Sequence, residues 1–182
     1  MVGTVGPAFR SAGKSVGDVS IRTARLTLRA LAAAAAQALP GDRDGAARQI
    51  GSALAADWPQ PDLLDVLPMQ AASTSAGEPY GVWVIIDDVS DTVIGDVGFM
   101  GPPGEDGTIE IGYSVTPGYR RRGVATEAVR ALARWGLNQP AVRGIVAHCE
   151  PDNAPSVGVL TRVGFVRDGV ENGQLRWRLT GA

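Results

Sequence analysis

IEIGYSVTPGYRRRGVATEA, residues Ile109 to Ala128, decides the fold of this 182-residue chain. Its first half alternates: Ile109, Ile111, Tyr113 and Val115 are apolar, while Glu110, Gly112 and Ser114 are polar or small. That period of two reads as a strand with one buried face, and Tyr113, sharing the parity of the isoleucines, reads as a core residue, with lining a cleft as its alternative. Pro117 and Gly118 stop the strand, and a basic loop, Arg120-Arg121-Arg122-Gly123, follows. Beyond it the period turns helical over Val124 to Asn138, with Ala125, Val129, Leu132, Ala133 and Gly136 on one face and Arg130 and Arg134 on another.

Strand, glycine loop and helix start make a place for an anion. The first N–H groups of a helix have no intrahelical partner and lie at the positive end of the peptide dipoles, so they bind phosphate oxygens. Gly123 lets a ligand approach the backbone with no Cβ in the way, and Ala125 keeps the first turn narrow. The arginines add charge beside it.

Composition limits the other possibilities. With 17 basic and 19 acidic side chains the formal charge is −2, so no broad electrostatic footprint for nucleic acid exists, and the three arginines have no aromatic interleaving. No Gly-Lys-Ser/Thr follows the loop, which excludes the nucleotide-triphosphatase pattern. Cys149 and His148 are the sole cysteine and histidine, so neither an intramolecular disulfide nor a zinc site is expected. No apolar run approaches the roughly 20 residues that span a bilayer, and the N-terminus lacks the apolar core of a secretory signal. A cytoplasmic, metal-free protein with no membrane or nucleic-acid partner is the expectation.

Outward from the organising stretch, residues 1–19 read as a flexible leader and 20–182 as one domain. Ile21 to Arg29 alternates and reads as the first strand. Ala30 to Leu39 and Asp44 to Ala56 read as helices, with Asp62 to Ala71 as a third, short one. Val82 to Asp87 is a continuous apolar run, hence a strand buried on both faces. Val93 to Met100 should lie beside it, with Gly95 and Gly98 as bulge or close-approach positions. Val142 to Cys149 should run parallel to Thr108 to Val115, because a helix connects them. Asn153 should cap a helix over Ala154 to Val163, with Leu160 inward, and Phe165 to Arg167 should close a hairpin with Gln174 to Leu179 across Gly169 to Gly173.

Arg120-x-x-Gly123-x-Ala125 after a strand, joined to Asn153-x-x-Ser156 ahead of Leu160 and Gly164-Phe165, resembles the two cofactor-contacting motifs of the GCN5-related N-acetyltransferases, the GNAT superfamily. The wording GYSVTPGYRRRGVATEA is most similar to the Rim-type branch, which acetylates the N-termini of ribosomal proteins. The resemblance implies one α/β domain with a mixed, mostly antiparallel sheet and helices on both faces. It also implies that the strands before and after the first motif splay apart to admit acetyl-CoA. Val115, Arg120, Arg121, Arg122, Gly123, Val124, Ala125, Thr126, Asn153 and Ser156 would then contact that co-substrate, without a metal. Family members often form dimers.

The implied reaction is direct attack of a primary amine on the thioester in a ternary complex, which needs a base, an oxyanion donor and a proton for the leaving thiolate. Glu110 is the candidate base, acting through water; its alternative is an edge-strand carboxylate facing solvent. The backbone N–H of Val115 is the candidate oxyanion donor. Many family members carry a tyrosine where this chain has Leu160, so Ser156 is the hydroxyl left to serve the thiolate. That departure also keeps open a non-catalytic acyl-CoA-binding or sensing module. His148 reads as a structural histidine, with proton acceptance as its alternative, and Cys149 as a small core residue. The acceptor is a protein N-terminus or a small-molecule amine. A strongly cationic small acceptor would require Asp57, Asp62, Asp65, Asp87 and Asp88 to converge on the cleft.

Overall fold

The computed structural model describes residues 19–72 and 80–181; the expected leader lies outside the described residues except for Val19. Among the described residues nine strands form one sheet in the order β1-β2-β4-β5-β6-β7-β9-β8, with β3 attached beside β5. The segment expected as a single first strand is two: β1, Ser20–Arg22, and β2, Leu26–Ala30, pair antiparallel with Ile21 opposite Leu28. Thr23 makes the turn: its N–H donates to Leu26 O at 2.9 Å and its Oγ1 accepts from Leu26 N–H at 3.1 Å. Because β2 runs to Ala30, the first helix, α1, is shorter than its alanine content suggests and spans Ala33–Ala38.

Helix α2, Arg43–Ile50, also ends before the expected Ala56. Gly51 takes a left-handed conformation (φ 77°) at its C-cap, and Ala53–Leu54 then leave as β3, parallel to β5. Helix α3, Pro61–Ala72, includes the short helix expected there. Strand β4, Val82–Asp87, has the expected limits and is buried on both faces. Antiparallel to it lies β5, Thr92–Phe99, followed by β6, Thr108–Val115. Helix α4, Val124–Leu137, crosses to β7, Gly144–Cys149, which pairs parallel with β6. Helix α5, Ala154–Val163, begins at an Asn153 cap, where Asn153 Oδ1 accepts from Ser156 N–H at 3.1 Å.

The closing hairpin differs in register from the expectation. Strand β8 runs Val166–Glu171, and β9 runs Gln174–Thr180, with a bulge between Arg167 and Gly169. The turn is Asn172-Gly173 alone, at φ 50° and 86°. Two successive positive φ values suit the right-handed twist of a hairpin, and Asn-Gly supplies them at little cost.

Two cores cover opposite faces of the sheet, so helices flank both. On one face Trp83, Ile85, Ile94, Val97, Phe99, Ile109 and Ile111 pack beneath Ala128, Val129 and Leu132 of α4 and Leu160 of α5. Full burial of a side chain such as Leu132 contributes roughly 2 kcal/mol. On the other face Val84, Ile86 and Val93 meet Ala35, Ala36, Ile50, Trp58, Leu63 and Leu67 of the α1 to α3 region. This second core stops at β5. The α3-side face of β6, β7, β9 and β8 therefore carries polar side chains, and the site lies there.

Candidate active site

Strands β6 and β7 separate partway along their length. Their pairing runs from Thr108 opposite Gly144 to Glu110 opposite Val146 and stops, although β6 continues to Val115 and β7 to Cys149. On its other side β6 stays paired with β5 through Val115. Thr116 N–H donates to Ile94 O, and Glu110 O accepts from Met100 N–H, both at 3.0 Å, so even-numbered residues direct their backbone groups towards β5. By alternation the N–H groups of Tyr113 and Val115 point into the gap. The carbonyl of Val115 lies on the same side and accepts from Arg120 Nε at 2.8 Å.

At the end of β6 the loop from Arg120 to Gly123 opens onto the start of α4. Arg121 has φ 60° and Gly123 has φ 79°, and Gly123 is an N-cap without a side-chain hydrogen bond. The first intrahelical bond runs from Glu127 N–H to Gly123 O at 3.0 Å, so the N–H groups of Val124, Ala125 and Thr126 are left open by helix geometry. The Val115 and Val124 side chains are themselves buried in the core, so each offers only backbone to a ligand. Arg122 stacks over Tyr119, its guanidinium carbon 5.3 Å from the ring centroid. An uncapped helix start beside three arginines, at the mouth of a gap between strands, fits a pyrophosphate carried on a long thin arm, as coenzyme A presents it.

Opposite that loop a cleft of about 590 Å³ passes through the gap, lined from both faces of the sheet. Asn153, Ser156 and His148 line it, whereas none of residues 120–126 does. Tyr113 packs against the core as expected but is only half-buried and also lines the cleft, its hydroxyl donating to Ser156 O at 3.4 Å. Burial and the adjacent Cys149 outweigh that hydrogen bond and push its phenol up to about 12. Cys149 is buried, and its side-chain face packs into the core as expected.

Glu110 and His148 meet. β6 is an interior strand, so the edge-strand reading of Glu110 is corrected: its Oε1 lies 2.8 Å from His148 Nδ1, while His148 Nε2 lies 3.2 Å from Glu171 Oε2. Partial burial lowers the His148 pKa, but hydrogen bonds to Glu110 and Glu171 outweigh it and hold the imidazole above its ordinary value. With both ring nitrogens facing carboxylates, a histidine acts as a double donor and has no lone pair for an amine proton. This geometry suits a linker between two carboxylates, continued by Arg176, which pairs with Asp168 and lies 3.3 Å from Glu171.

Of the five aspartates named as an acidic cleft, only Asp62 lines it. Asp87 caps the turn at Ser90, with the hydroxyl donating at 2.7 Å, and Asp88 accepts from Thr27 at 2.7 Å; both lie at the far end of β4 from the cleft. The buried acid of the cleft is Asp96 on β5, 8% exposed, accepting from Trp58 Nε1 at 2.8 Å and from Ser114 Oγ at 2.9 Å. Burial pushes its carboxyl up from 3.8 to about 6, against the lowering effect of those two hydrogen bonds. An aspartate inside an otherwise apolar strand, TVIGDVGF, was the signal available in the sequence. Glu127 is the other residue missed: Thr23 Oγ1 donates to it at 2.6 Å and Arg25 Nη2 at 2.7 Å.

Among the described residues no group of histidine, cysteine or carboxylate side chains is arranged to hold a metal ion, and no helix is long and apolar enough to cross a membrane.

A family model described as an acetyltransferase (GNAT) domain matches residues 25–166. The chain is 29% identical to the uncharacterized N-acetyltransferase YjdG of Bacillus subtilis over 81% of its own length and 90% of that protein's. In fold it is similar to the ribosomal-protein-S5-alanine acetyltransferase of Vibrio fischeri, with a TM-score of 0.58 at 20% identity over 90% of this chain and 97% of that one. It is also similar to the microcin C7 self-immunity acetyltransferase MccE, whose structure is a complex with acetyl-CoA and AMP, with a TM-score of 0.63 at 19% identity over 91% and 98% of the two chains.

Proposed function

The chain belongs to the GNAT acetyltransferase family, and from that premise we propose that it transfers the acetyl group of acetyl-CoA to the α-amine at the N-terminus of a polypeptide. The observation that carries this reading is the separation of β6 from β7 at the head of the cleft. It leaves the N–H of Val115 directed into a gap that narrow ligands can enter from both faces of the sheet. The acceptor class rests on the Rim-type wording of the organising stretch.

Acetyl-CoA supplies the thioester and the leaving group. This chain's residues would do the rest. Arg120, Arg121 and Arg122, with the open N–H groups of Val124 to Thr126, would hold the pyrophosphate, and Gly123 keeps that surface bare. The Val115 N–H would donate to the carbonyl oxygen as charge develops on it. Ser156 and Tyr113 carry hydroxyls beside the gap that could hydrogen-bond the departing sulfur. Asn153 holds the α5 start in place through its cap, which keeps Ser156 at the cleft. Glu110 would order water beside the amine, with His148 fixing its carboxylate.

A small cationic amine is the second reading, favoured by the acidic lining of Asp62, Asp96 and Glu150. Cytoplasmic residence, a domain starting near residue 20 and homodimerisation belong to the same proposal. The test follows free-thiol release from acetyl-CoA with tetrapeptides bearing free N-terminal alanine or serine, with spermidine and with free amino acids. Peptide-dependent release supports the first reading. Release with spermidine alone supports the second, and release with none of these overturns both.

A further inference from the structure

We propose that Asp96 is the residue that receives the acceptor's ammonium group and takes a proton from it before acetyl transfer. This inference rests on the reading of the chain as an amine acetyltransferase. Asp96 lines the cleft, and the β5–β6 register sets it opposite Ser114, the neighbour of Val115. Both of its hydrogen bonds fall on one oxygen, Oδ2; among the described residues Oδ1 accepts none. Next to it Gly98 and Gly112 face each other in the same register, with the Met100 methyl lying over Gly112 and the Gly81 backbone against Gly98. The cleft lining runs from Asp96 to Tyr113 and His148 at the gap, so an amine in the cleft lies between the carboxylate and the gap.

Charge points the same way. The cleft lining holds Asp62, Asp96 and Glu150 but no lysine or arginine, and Asp96 forms no ion pair among the described residues. Holding Trp58 Nε1 and Ser114 Oγ requires only an acceptor oxygen, which an asparagine would provide without the cost of a buried charge. The negative charge is therefore unused by the fold and matched to a cation from outside. Asp62, at the first turn of α3, is the acid that acts on Asp96 electrostatically. The other titratable groups along the lining are Tyr80 just before β4, Tyr113 on β6, His148 and Cys149 on β7, and Glu150 just beyond it. β4 places the uncharged Val84 beside Asp96, and Arg43 of α2 reaches the Trp58 carbonyl rather than the carboxylate. A carboxyl near 6 is ionised at neutral pH and is a better proton acceptor than an ordinary aspartate.

The step balances as follows. One proton moves from the ammonium nitrogen to Asp96 Oδ1 and frees the nitrogen lone pair. The bond from nitrogen to the acetyl carbon forms, the carbon–sulfur bond breaks, and sulfur leaves with the electron pair. The second proton lost from nitrogen as it becomes an amide neutralises the thiolate, and Asp96 returns its own proton to solvent.

The experiment is the pH dependence of kcat/KM for the amine, between pH 5 and 9, with acetyl-CoA saturating. The probes are n-butylamine, as the bare amine, and an alanine-terminated tetrapeptide. Wild type should show an acid limb near pH 6. Asp96→Asn should lose that limb and fall about 100-fold or more in kcat/KM, with KM for acetyl-CoA changed less than about twofold. Ser114→Ala removes a hydrogen bond that favours the carboxylate, so its limb should move to higher pH. Amine-dependent release that keeps the wild-type limb in Asp96→Asn, or an unmoved limb in Ser114→Ala, overturns the proposal. Absence of amine-dependent release in wild type overturns the amine-acetyltransferase reading itself, and the proposal with it.

Discussion

Arg25 and Glu127, more than 100 positions apart, form an ion pair in which Arg25 Nη2 and Nε both donate to Glu127 Oε2, at 2.7 and 3.0 Å. The same guanidinium holds the Arg122 carbonyl at 3.2 Å through both terminal nitrogens. The β1–β2 turn thus fixes both the first turn of α4 and the loop before it, and it occupies the one carboxylate that would repel a phosphate there. Arg25→Ala should therefore weaken acetyl-CoA binding by about an order of magnitude, more at low salt than at high. Because Arg25 is half exposed, its loss should cost stability only about 1 kcal/mol. Isothermal titration at two ionic strengths, beside thermal melts, checks both halves; a large loss of stability with unchanged affinity would refute the clamp.

Gly123 is constrained by backbone and not by crowding. Its φ of 79° is one that side-chain-bearing residues rarely adopt, and a Cβ there would meet Arg25 Nη2 at 3.6 Å, an ordinary contact. Gly123→Val should cost roughly 1 to 2 kcal/mol of stability, from strain. A branched side chain over the open N–H groups should abolish measurable acetyl-CoA binding. Thermal shift with acetyl-CoA reads both effects: the unliganded variant melts cooperatively and the ligand no longer raises its melting temperature.

These two positions differ in how legible they were. Gly123 was readable because local chemistry, a strand stop, arginines and a helix start, is all that makes an anion site. The partner of Glu127 was not, because a pair separated by about a hundred residues depends on how the β1–β2 turn meets α4 across the sheet edge. The strands read well in β4 and β6, where a continuous apolar run or an unbroken alternation was present, but alternation over Ile21 to Arg29 hid the turn that separates β1 from β2. Errors cluster where alanine-rich sequence gives no period: α1 and α2 came out shorter because β2 and Gly51 set their ends. Tyr113 was assigned to the core by parity, correctly as to its face. Parity cannot show that the neighbouring strand diverges and exposes that face. Of the aspartates suspected of forming an acidic cleft, Asp87 and Asp88 sit where β4 ends and hold Ser90 and Thr27, and only Asp62 on α3 reaches the cleft, while Asp96 was hidden inside a strand.

The sole histidine gives a direct view of the line of carboxylates. Its imidazole is held above the usual value by Glu110 and Glu171, so the stabilisation it contributes is fully present below the unfolded value of 6.5 and is lost as pH rises through the higher folded one. Glu110→Gln removes one of the two charges and should lower the pKa of His148, leaving Glu171 to hold the other nitrogen. Ring-nitrogen NMR across a pH titration is unambiguous in a chain with a single histidine. An unchanged titration midpoint would show that Glu110 and His148 are not coupled in solution.

Asp96 sets function against stability. Burial raises its carboxyl from 3.8 to about 6 in the folded chain, so between those values the native state binds more protons than the unfolded one. The free energy of unfolding then falls as pH rises through that window and levels off above it. A shift of this size corresponds to about 3 kcal/mol carried as a penalty at pH 8. Asp96→Asn removes the charge while its amide oxygen still accepts from Trp58 and Ser114, so the variant should be more stable than wild type at pH 8 by on the order of 2 kcal/mol, with little difference near pH 4. Urea unfolding at the two pH values measures this directly. A variant less stable at pH 8 would mean that the carboxylate's charge is used by the fold, and the case for an incoming ammonium at this site would lose its electrostatic basis.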